Sequence, residues 1–446
     1  MTTAPRATPQ AKLRATPRAT ARDEPQRARE PATAAPSHAT ETPARSRRRT
    51  NGHGETPRWF ETFYGVLKRI EAGRIEIVLP DGREFAAEGR HAGPTGRILV
   101  YDDDFFSRMA REGENGFCEM YIEGGWDTPD LQSLFDVILM NNDTVGRGFP
   151  GQALVRIYER FRHWLRANTR SGARKNISFH YDLGNAFYAE WLDASMTYSS
   201  ALFSAQGEEL EQAQANKYAA ICDRLELKPG QRVLEIGCGW GGFAEYAIRE
   251  RGVHVTGLTL SREQLAYARE RLERAGLAER AELVLRDYRD ERGRYDAIAS
   301  IEMFEAVGER YWPVYFAAVR DRLNPGGRAA LQVITIADRL FTSYRKGTDF
   351  IQKFVFPGGM LPSPSALQSE IDRAGLSLVG STEFGESYSR TLRAWRERFN
   401  ARWEAISGLG FDDRFHRLWN LYLATCGACF HAGTTDVTQV TLTKTT

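Results

Sequence analysis

Apolar and polar positions divide the chain into segments with different periods. Residues 59–71 read as a short helix, and Arg74-Ile75-Glu76-Ile77-Val78-Leu79, Pro80-Asp81-Gly82 and Arg83-Glu84-Phe85 follow. A strand pattern, a turn with Asp-Gly at its centre and a second strand pattern predict a β-hairpin. Ile98-Leu99-Val100-Tyr101 predicts another strand, and 103–112 and 128–140 predict helices. These elements make a small α+β domain over 59–148, in which no catalytic arrangement is visible.

Residues 149–178 predict a connecting helix, and 179–446 form a second domain. There the pattern becomes strand–helix alternation. Strands are expected at 232–236, 253–258, 281–285, 295–301 and 328–334. Helices are expected from Gly242 onward, over 261–275 and over 310–323, and Asn324-Pro325-Gly326-Gly327 reads as a turn. Repeated βα units imply an α/β fold with a parallel sheet covered by helices on both faces. Ligands of such sheets bind beyond the carboxyl ends of the strands.

Composition adds a third segment. Residues 1–58 hold eight of the 18 prolines, and Met1 and Leu13 are their only large apolar residues. Such a segment cannot bury enough apolar surface to order itself, so a disordered tail is expected, and no secretory signal. The run from Leu418 to Thr435 is uncharged but too polar to span a bilayer. Five scattered cysteines form no framework, which points to a reducing compartment without disulfides or structural zinc.

The net charge of +2 argues against a nucleic-acid binder acting by bulk charge, but it hides an asymmetry. The tail carries twelve basic residues against five acids. Residues 153–175 carry seven Lys/Arg and one acid, interleaved with Tyr158, Phe161, Trp164 and Leu165. Both segments suit an anionic membrane surface; a solvated tail and an ordinary interdomain helix are the plainer alternatives. The expected place of the protein is cytoplasmic, peripheral on the inner membrane.

The strongest motif is Val233-Leu234-Glu235-Ile236-Gly237-Cys238-Gly239-Trp240-Gly241-Gly242. A buried strand runs into a glycine-rich turn and a helix, so the backbone can pass close to a ligand. Glu235 lies two residues before the first glycine, and the turn departs from GxGxxG. The segment resembles motif I of class I S-adenosylmethionine-dependent methyltransferases, whose sheet is Rossmann-like. That resemblance implies cofactor contacts from Glu235, Gly237, Gly239 and Gly241. After the second strand, Thr259, Ser261 and Gln264 offer hydrogen-bonding groups where an acid usually holds the ribose, with Leu260 a further expected cofactor contact, and Ser261 is also a plausible N-cap. After the third, Asp287 and Tyr288 suit the amino group and face of an adenine.

Further motifs narrow the resemblance. They are His180-Tyr181-Asp182-Leu183-Gly184-Asn185, Met196-Thr197-Tyr198-Ser199, Gly257 through Gln264, Phe304-Glu305-Ala306-Val307-Gly308, Phe356 through Pro362, and Tyr388 to Trp395. With motif I, they are similar to the cyclopropane-fatty-acyl-phospholipid synthase family, which includes the mycolic acid cyclopropane synthases. The resemblance covers nearly all of the chain after residue 58. It implies methyl transfer to a cis alkene of a membrane phospholipid, then proton loss and ring closure. It also implies cofactor contacts from Tyr198 and Ser199, and it leaves a homodimer open.

In that family the base is thought to be a bound bicarbonate. The resemblance places its holders at Glu305, Tyr388, the Ile334 amide, Ser200 (a Cys in the family) and Gln332 (a His in the family). Glu302 is an added acid, and Ala306 replaces a His. Two arrangements stay open: an anion site weakened by Ser200 and Gln332, or Glu302 and Glu305 sharing a proton and supplying the base themselves. The same changes leave open a methyl-branched or methylene product without a ring. Tyr181, Phe304, Tyr388 and Trp395 are candidates to face a carbocation, and Cys426 is a candidate for the lipid channel.

Overall fold

The computed structural model describes residues 55–142 and 183–444. The expected tail, apart from its last four residues, lies outside the described residues. So do the expected helix over 149–178 and Tyr181.

The small N-terminal part begins with α1 (Phe60–Leu67). The hairpin forms as read, from β1 (Ala72–Val78) and β2 (Glu84–Glu88), with Ile77 opposite Phe85. β3 (His91–Val100) starts seven residues before the expected strand and runs parallel to β1. A two-residue strand, β4 (Trp126–Asp127), completes the order β2-β1-β3-β4. Ile75, Ile77, Ile98 and Val100 point to one buried face, as the two-residue period requires. Three helices pack near it: α2 (Asp104–Glu112), α3 (Glu114–Ile122) and α4 (Leu131–Met140). α3 carried no expectation. It is separated from α2 only by Gly113, whose φ of +59° breaks the helix there.

The second part is built on a seven-stranded sheet of order β10-β11-β9-β8-β5-β6-β7. After α5 (Asn185–Trp191) and α6 (Leu210–Arg224) come β5 (Arg232–Ile236), α7 (Gly242–Arg251), β6 (His254–Thr259) and α8 (Arg262–Arg274). β7 (Ala281–Leu285), β8 (Tyr295–Ile301), α9 (Trp312–Arg322) and β9 (Leu323–Ile336) follow. These five strands are parallel, and the order reverses between β5 and β8. The expected turn at Asn324–Gly327 lies inside β9 as a bulge: Tyr295 pairs with Leu323, but Ala297 pairs with Arg328.

Beyond β9 the chain forms α10 (Asp338–Tyr344), α11 (Phe350–Phe354), α12 (Pro364–Arg373) and β10 (Leu376–Glu383). It ends with α13 (Gly385–Ala401), α14 (Trp403–Gly408), α15 (Asp413–His431) and β11 (Thr435–Lys444). β10 and β11 are antiparallel, so the sheet is mixed at this edge. α15 packs against α13 on one side and against α3 and α4 on the other. A single apolar cluster therefore runs from Phe60 and Trp126 through Trp191 to Trp395 and Trp419.

Candidate active site

Two cavities meet beyond the carboxyl ends of β5 and β8. The first, of about 160 Å³, is lined by the β5–α7 turn, the end of β6, Arg286, Tyr288 and residues 196–199. Among the expected cofactor residues, Tyr198, Ser199, Glu235, Gly237, Gly239, Thr259, Leu260, Gln264 and Tyr288 are on its wall. Gly239 has φ +50°, and a Cβ there would point into open space. Gly237 has φ +89°, and a Cβ would come within 2.8 Å of Met303. Trp240 of the same turn donates to Asn185 Oδ1 at 2.7 Å, which ties the 180–185 motif to the glycine loop.

Two expected cofactor residues are elsewhere. Gly241 caps α7 with φ +81°, and a Cβ there would meet Ala268 at 3.0 Å, so it serves helix packing. Asp287 is off the wall; its carboxylate accepts from the Arg289 backbone N at 2.9 Å and pairs with Arg289 Nη2 at 2.6 Å. Thr259 and Gln264 bond to each other at 3.1 Å at the cavity edge, and Ser261 caps α8 by accepting from the Gln264 N at 3.2 Å.

The cavity suits S-adenosylmethionine. Glu235 Oε2 is buried without a hydrogen-bond partner, and burial pushes this carboxyl up to about 8, with Arg271 and Lys217 opposing. A buried orphan acceptor on a cavity wall awaits a donor, and the ammonium of the cofactor's methionine part is one. The open space beside Gly239 leaves room for a ligand against the backbone.

The second cavity, of about 260 Å³, is mostly apolar. Its wall includes Tyr198, Ile334, Phe356, Met360, Tyr388, Leu392, Tyr422, Cys426, Cys429 and Phe430. Cys426 is therefore on the channel wall. Phe304 is not: it is packed among Trp312, Tyr315 and Phe316 behind the sheet. Trp395 sits one layer back, against Tyr198 and Tyr388. Tyr422, which sequence reasoning missed, faces the cavity and shares a 2.8 Å hydrogen bond with the Tyr198 hydroxyl.

Glu302, Tyr198 and Ala306 line both cavities. The donors expected around an anion converge instead on the Glu302 carboxylate. Its Oε1 accepts from the Ser200 backbone N–H and from Gln332 Nε2, both at 2.8 Å, and its Oε2 accepts from the Tyr388 hydroxyl at 2.6 Å. The Ser200 hydroxyl turns away and donates to the Ala201 carbonyl. Gln332 is fully buried on β9, and its oxygen accepts from Gln439 on β11 at 3.1 Å. The Ile334 N–H donates at 2.5 Å to Glu305 Oε1, and Glu305 Oε2 is buried without a partner. The Ser200, Gln332, Tyr388 and Ile334 donors are already engaged, and the Glu302 carboxylate stands in the place an anion would take, so a resident bicarbonate does not fit.

Glu302 has φ +47°, a left-handed conformation uncommon for any residue other than glycine. Its own N–H donates to the Gln332 carbonyl at 2.9 Å and helps hold that geometry. Such strain gathers where a side chain must be aimed. Burial raises the Glu302 carboxyl above its usual range, and Tyr388, Gln332 and Ser200 pull it back down. Burial and the adjacent Glu302 push Glu305 up to about 8, against backbone donors from Ile334 and from Glu305 itself.

The model of the mycolic acid cyclopropane synthetase family matches residues 168–440. The chain belongs to this family. It is 40% identical over 392 residues to the tuberculostearic acid methyltransferase UfaA1 of Mycobacterium tuberculosis, covering 83% of this chain and 88% of that one. It is 35% identical over 362 residues to the cyclopropane-fatty-acyl-phospholipid synthase of Escherichia coli K12, covering 78% and 87%. The solved mycolic acid cyclopropane synthase CmaA1, complexed with SAH and CTAB, superposes with a TM-score of 0.58 at 28% identity over 61% of this chain and 98% of that one. This family member is an S-adenosylmethionine-dependent methyltransferase of the cyclopropane synthase type.

Three further polar residues at the site were missed. Glu114 of α3 and Asp349 before α11 line the second cavity, so the small N-terminal part, where no chemistry was expected, contributes to its wall. Nothing in the sequence marked Glu114, because its helix was not recognised. Lys217 is fully buried on α6. Its signal was legible: Leu210, Ala213, Gln214, Lys217, Tyr218, Ile221 and Cys222 make one helical stripe, and a lysine within such a stripe is anomalous.

Proposed function

We propose that this enzyme transfers the methyl group of S-adenosylmethionine to a cis double bond of a phospholipid acyl chain, and that Glu302 takes up the proton lost afterwards as a cyclopropane closes. The observation that carries this reading is the seat of Glu302: it lines both cavities and is aimed by three donors. Bound S-adenosylmethionine supplies an electrophilic methyl group. Methyl addition to one alkene carbon leaves a cation on its neighbour. Glu302 removes one proton from the new methyl group, and the freed electron pair closes the third bond of the ring. One methyl cation enters and one proton leaves.

The surrounding residues suit these steps. The apolar wall of the second cavity keeps water from the cation. Tyr198, Tyr422 and Phe430 add aromatic rings to that wall, whose π faces favour positive charge. Three donors favour an ionised Glu302, whereas Glu305 has backbone donors only and keeps its proton at neutral pH. Two neighbouring carboxyls with such unequal sets of donors divide into base and neutral partner.

A second product is favoured by the same seat. A carboxylate tied to three donors is a slower base than a free one. Delay allows a hydride to move from the methyl-bearing carbon to the adjacent cation before the methyl proton is lost, which yields a methylene branch. The name of the 40% identical relative, a tuberculostearic acid methyltransferase, supports weighing this outcome beside the ring.

The test is expression in a host lacking such an enzyme, with mass spectrometry of membrane fatty acids and chromatography that separates ring from branch. Unsaturated acids should gain one CH2, and their absence would overturn the reading. Glu302→Gln should bind the cofactor and lose ~10²–10⁴-fold in turnover; near-normal turnover would remove Glu302 as the base.

A further inference from the structure

A buried ammonium lies behind this base. Lys217 Nζ donates to Ser199 Oγ at 2.7 Å and to Gln214 Oε1 at 2.6 Å, and its side chain is fully buried. Gln214 in turn donates from Nε2 to the Ser199 carbonyl at 3.0 Å. Lysine and glutamine together therefore fix both polar ends of Ser199, and the next residue presents its N–H to Glu302. No carboxylate bonds to Lys217 directly among the described residues. Its charge is set instead among three acids on three different segments: Glu302 after β8, Glu235 on β5 and Asp193 after α5. The Tyr218 ring, 4.5 Å from Nζ, covers one side, and Arg271 of α8 faces Glu235 and Tyr218 from beyond.

We propose that Lys217 is a positioning residue for the reaction: its buried charge holds the Ser199–Ser200 turn against Glu302 and keeps Glu302 ionised. The inference rests on the reading of Glu302 as the base. A charge buried with only neutral hydrogen-bond partners is costly, and a helix stripe of this kind would be more stable with an apolar residue. Its retention is explained by a cationic field at the junction of the two cavities. The field acts on Glu302 through the low-dielectric interior, where charges interact strongly. Burial pulls the lysine down to about 7 against the attraction of Glu302, Asp193 and Glu235, so the pair loses its opposite charges more readily than an exposed pair would.

The sign of the effect follows. Removing the cation makes Glu302 harder to ionise, so the low-pH limb of turnover moves to higher pH. The experiment uses the full chain, vesicles of an unsaturated phospholipid, and Lys217→Met and Lys217→Gln beside the wild type. Each is checked for cofactor affinity by calorimetry and for folding by thermal melting. Turnover is measured from pH 6 to pH 9. The expected result is a limb shifted by about one unit or more, a loss of about tenfold at the low-pH end, with recovery at high pH and cofactor affinity kept. A profile parallel to the wild type in folded variants would overturn the inference. Loss of folding in both variants would overturn it too, since Lys217 would then be structural. An active Glu302→Gln would instead sink the reading of Glu302 as the base, whatever the lysine variants do.

Discussion

At the scale of single residues, the site is decided by which groups own the few donors at the cavity junction. Glu302 owns three and Glu305 only backbone ones. A neutral Glu305 is mimicked by glutamine, so Glu305→Gln should stay within about tenfold of wild-type turnover at pH 7, while Glu302→Gln falls by ~10²–10⁴-fold. The reverse ranking, measured on the same vesicles, would make Glu305 the base. Gly239 offers a separate test of the cofactor cavity. A valine there would place methyl groups in open cavity space at a φ of +50° that β-branched residues avoid. Gly239→Val should lose measurable S-adenosylmethionine binding while still melting cooperatively, at a temperature lowered by the strain of that φ, and unchanged affinity would refute the assignment of that cavity. The sequence located Glu302, Glu305, Ser200, Gln332 and Tyr388 as a group, because motifs carry position. It did not reveal that Glu302 takes the donors, because that depends on a left-handed backbone at a residue that rarely adopts it. Lys217 was readable from its stripe, and Glu114 was not.

At the scale of elements, the parallel βα units were legible because fully buried strands and glycine turns leave strong local patterns. The bulge in β9 and the antiparallel strands β10 and β11 were not. Asn324-Pro325-Gly326-Gly327 has turn chemistry, and only pairing with β8 on both sides of it makes it part of a strand. β11 lies next to β9 although its sequence is polar on alternate residues; Gln439 there supports Gln332, so the edge of the sheet helps build the site. α15 has a comparable double role. One side carries Tyr422, Cys426, Cys429 and Phe430 to the second cavity. Elsewhere on it Arg417 donates to the Trp126 carbonyl at 2.7 Å and to the Tyr121 carbonyl at 2.5 Å, pairs with Asp127 at 2.9 Å, and lies 3.9 Å over the Tyr121 ring. Arg417→Ala would leave those carbonyls unpaired and should destabilise the fold by about 2 kcal/mol. The check is denaturant unfolding of variant and wild type; an unchanged midpoint would show that this clamp does not hold β4 and α3 to α15.

At the scale of the whole molecule, the proposed reaction requires that an acyl chain in a membrane be reached. No helix among the described residues is long and apolar enough to cross one. Charge is the force that acts at a distance between a protein and an anionic bilayer. Residues 1–58 have a net charge of +7 and residues 59–446 of −5, and within the latter 153–175 hold seven basic residues against one acid. Residues 153–175 lie in sequence between Glu114 and Tyr198, both on the wall of the second cavity. Basic residues near an anionic surface contribute about 1 kcal/mol each, so even a partial engagement of the two segments outweighs the weak repulsion from the acidic remainder. This attraction is screened within about 8–10 Å at physiological salt. The enzyme should therefore bind anionic phospholipid vesicles more tightly than neutral ones, with affinity falling as salt rises. Deleting residues 1–54, which hold eleven of the tail's twelve basic residues, should weaken the salt dependence without abolishing turnover on anionic vesicles, because every described residue on the walls of the two cavities lies at position 114 or beyond. Co-sedimentation across a salt series checks both statements. Equal binding to neutral and anionic vesicles would remove electrostatics from substrate access and leave the apolar mouth of the second cavity as the contact with the bilayer.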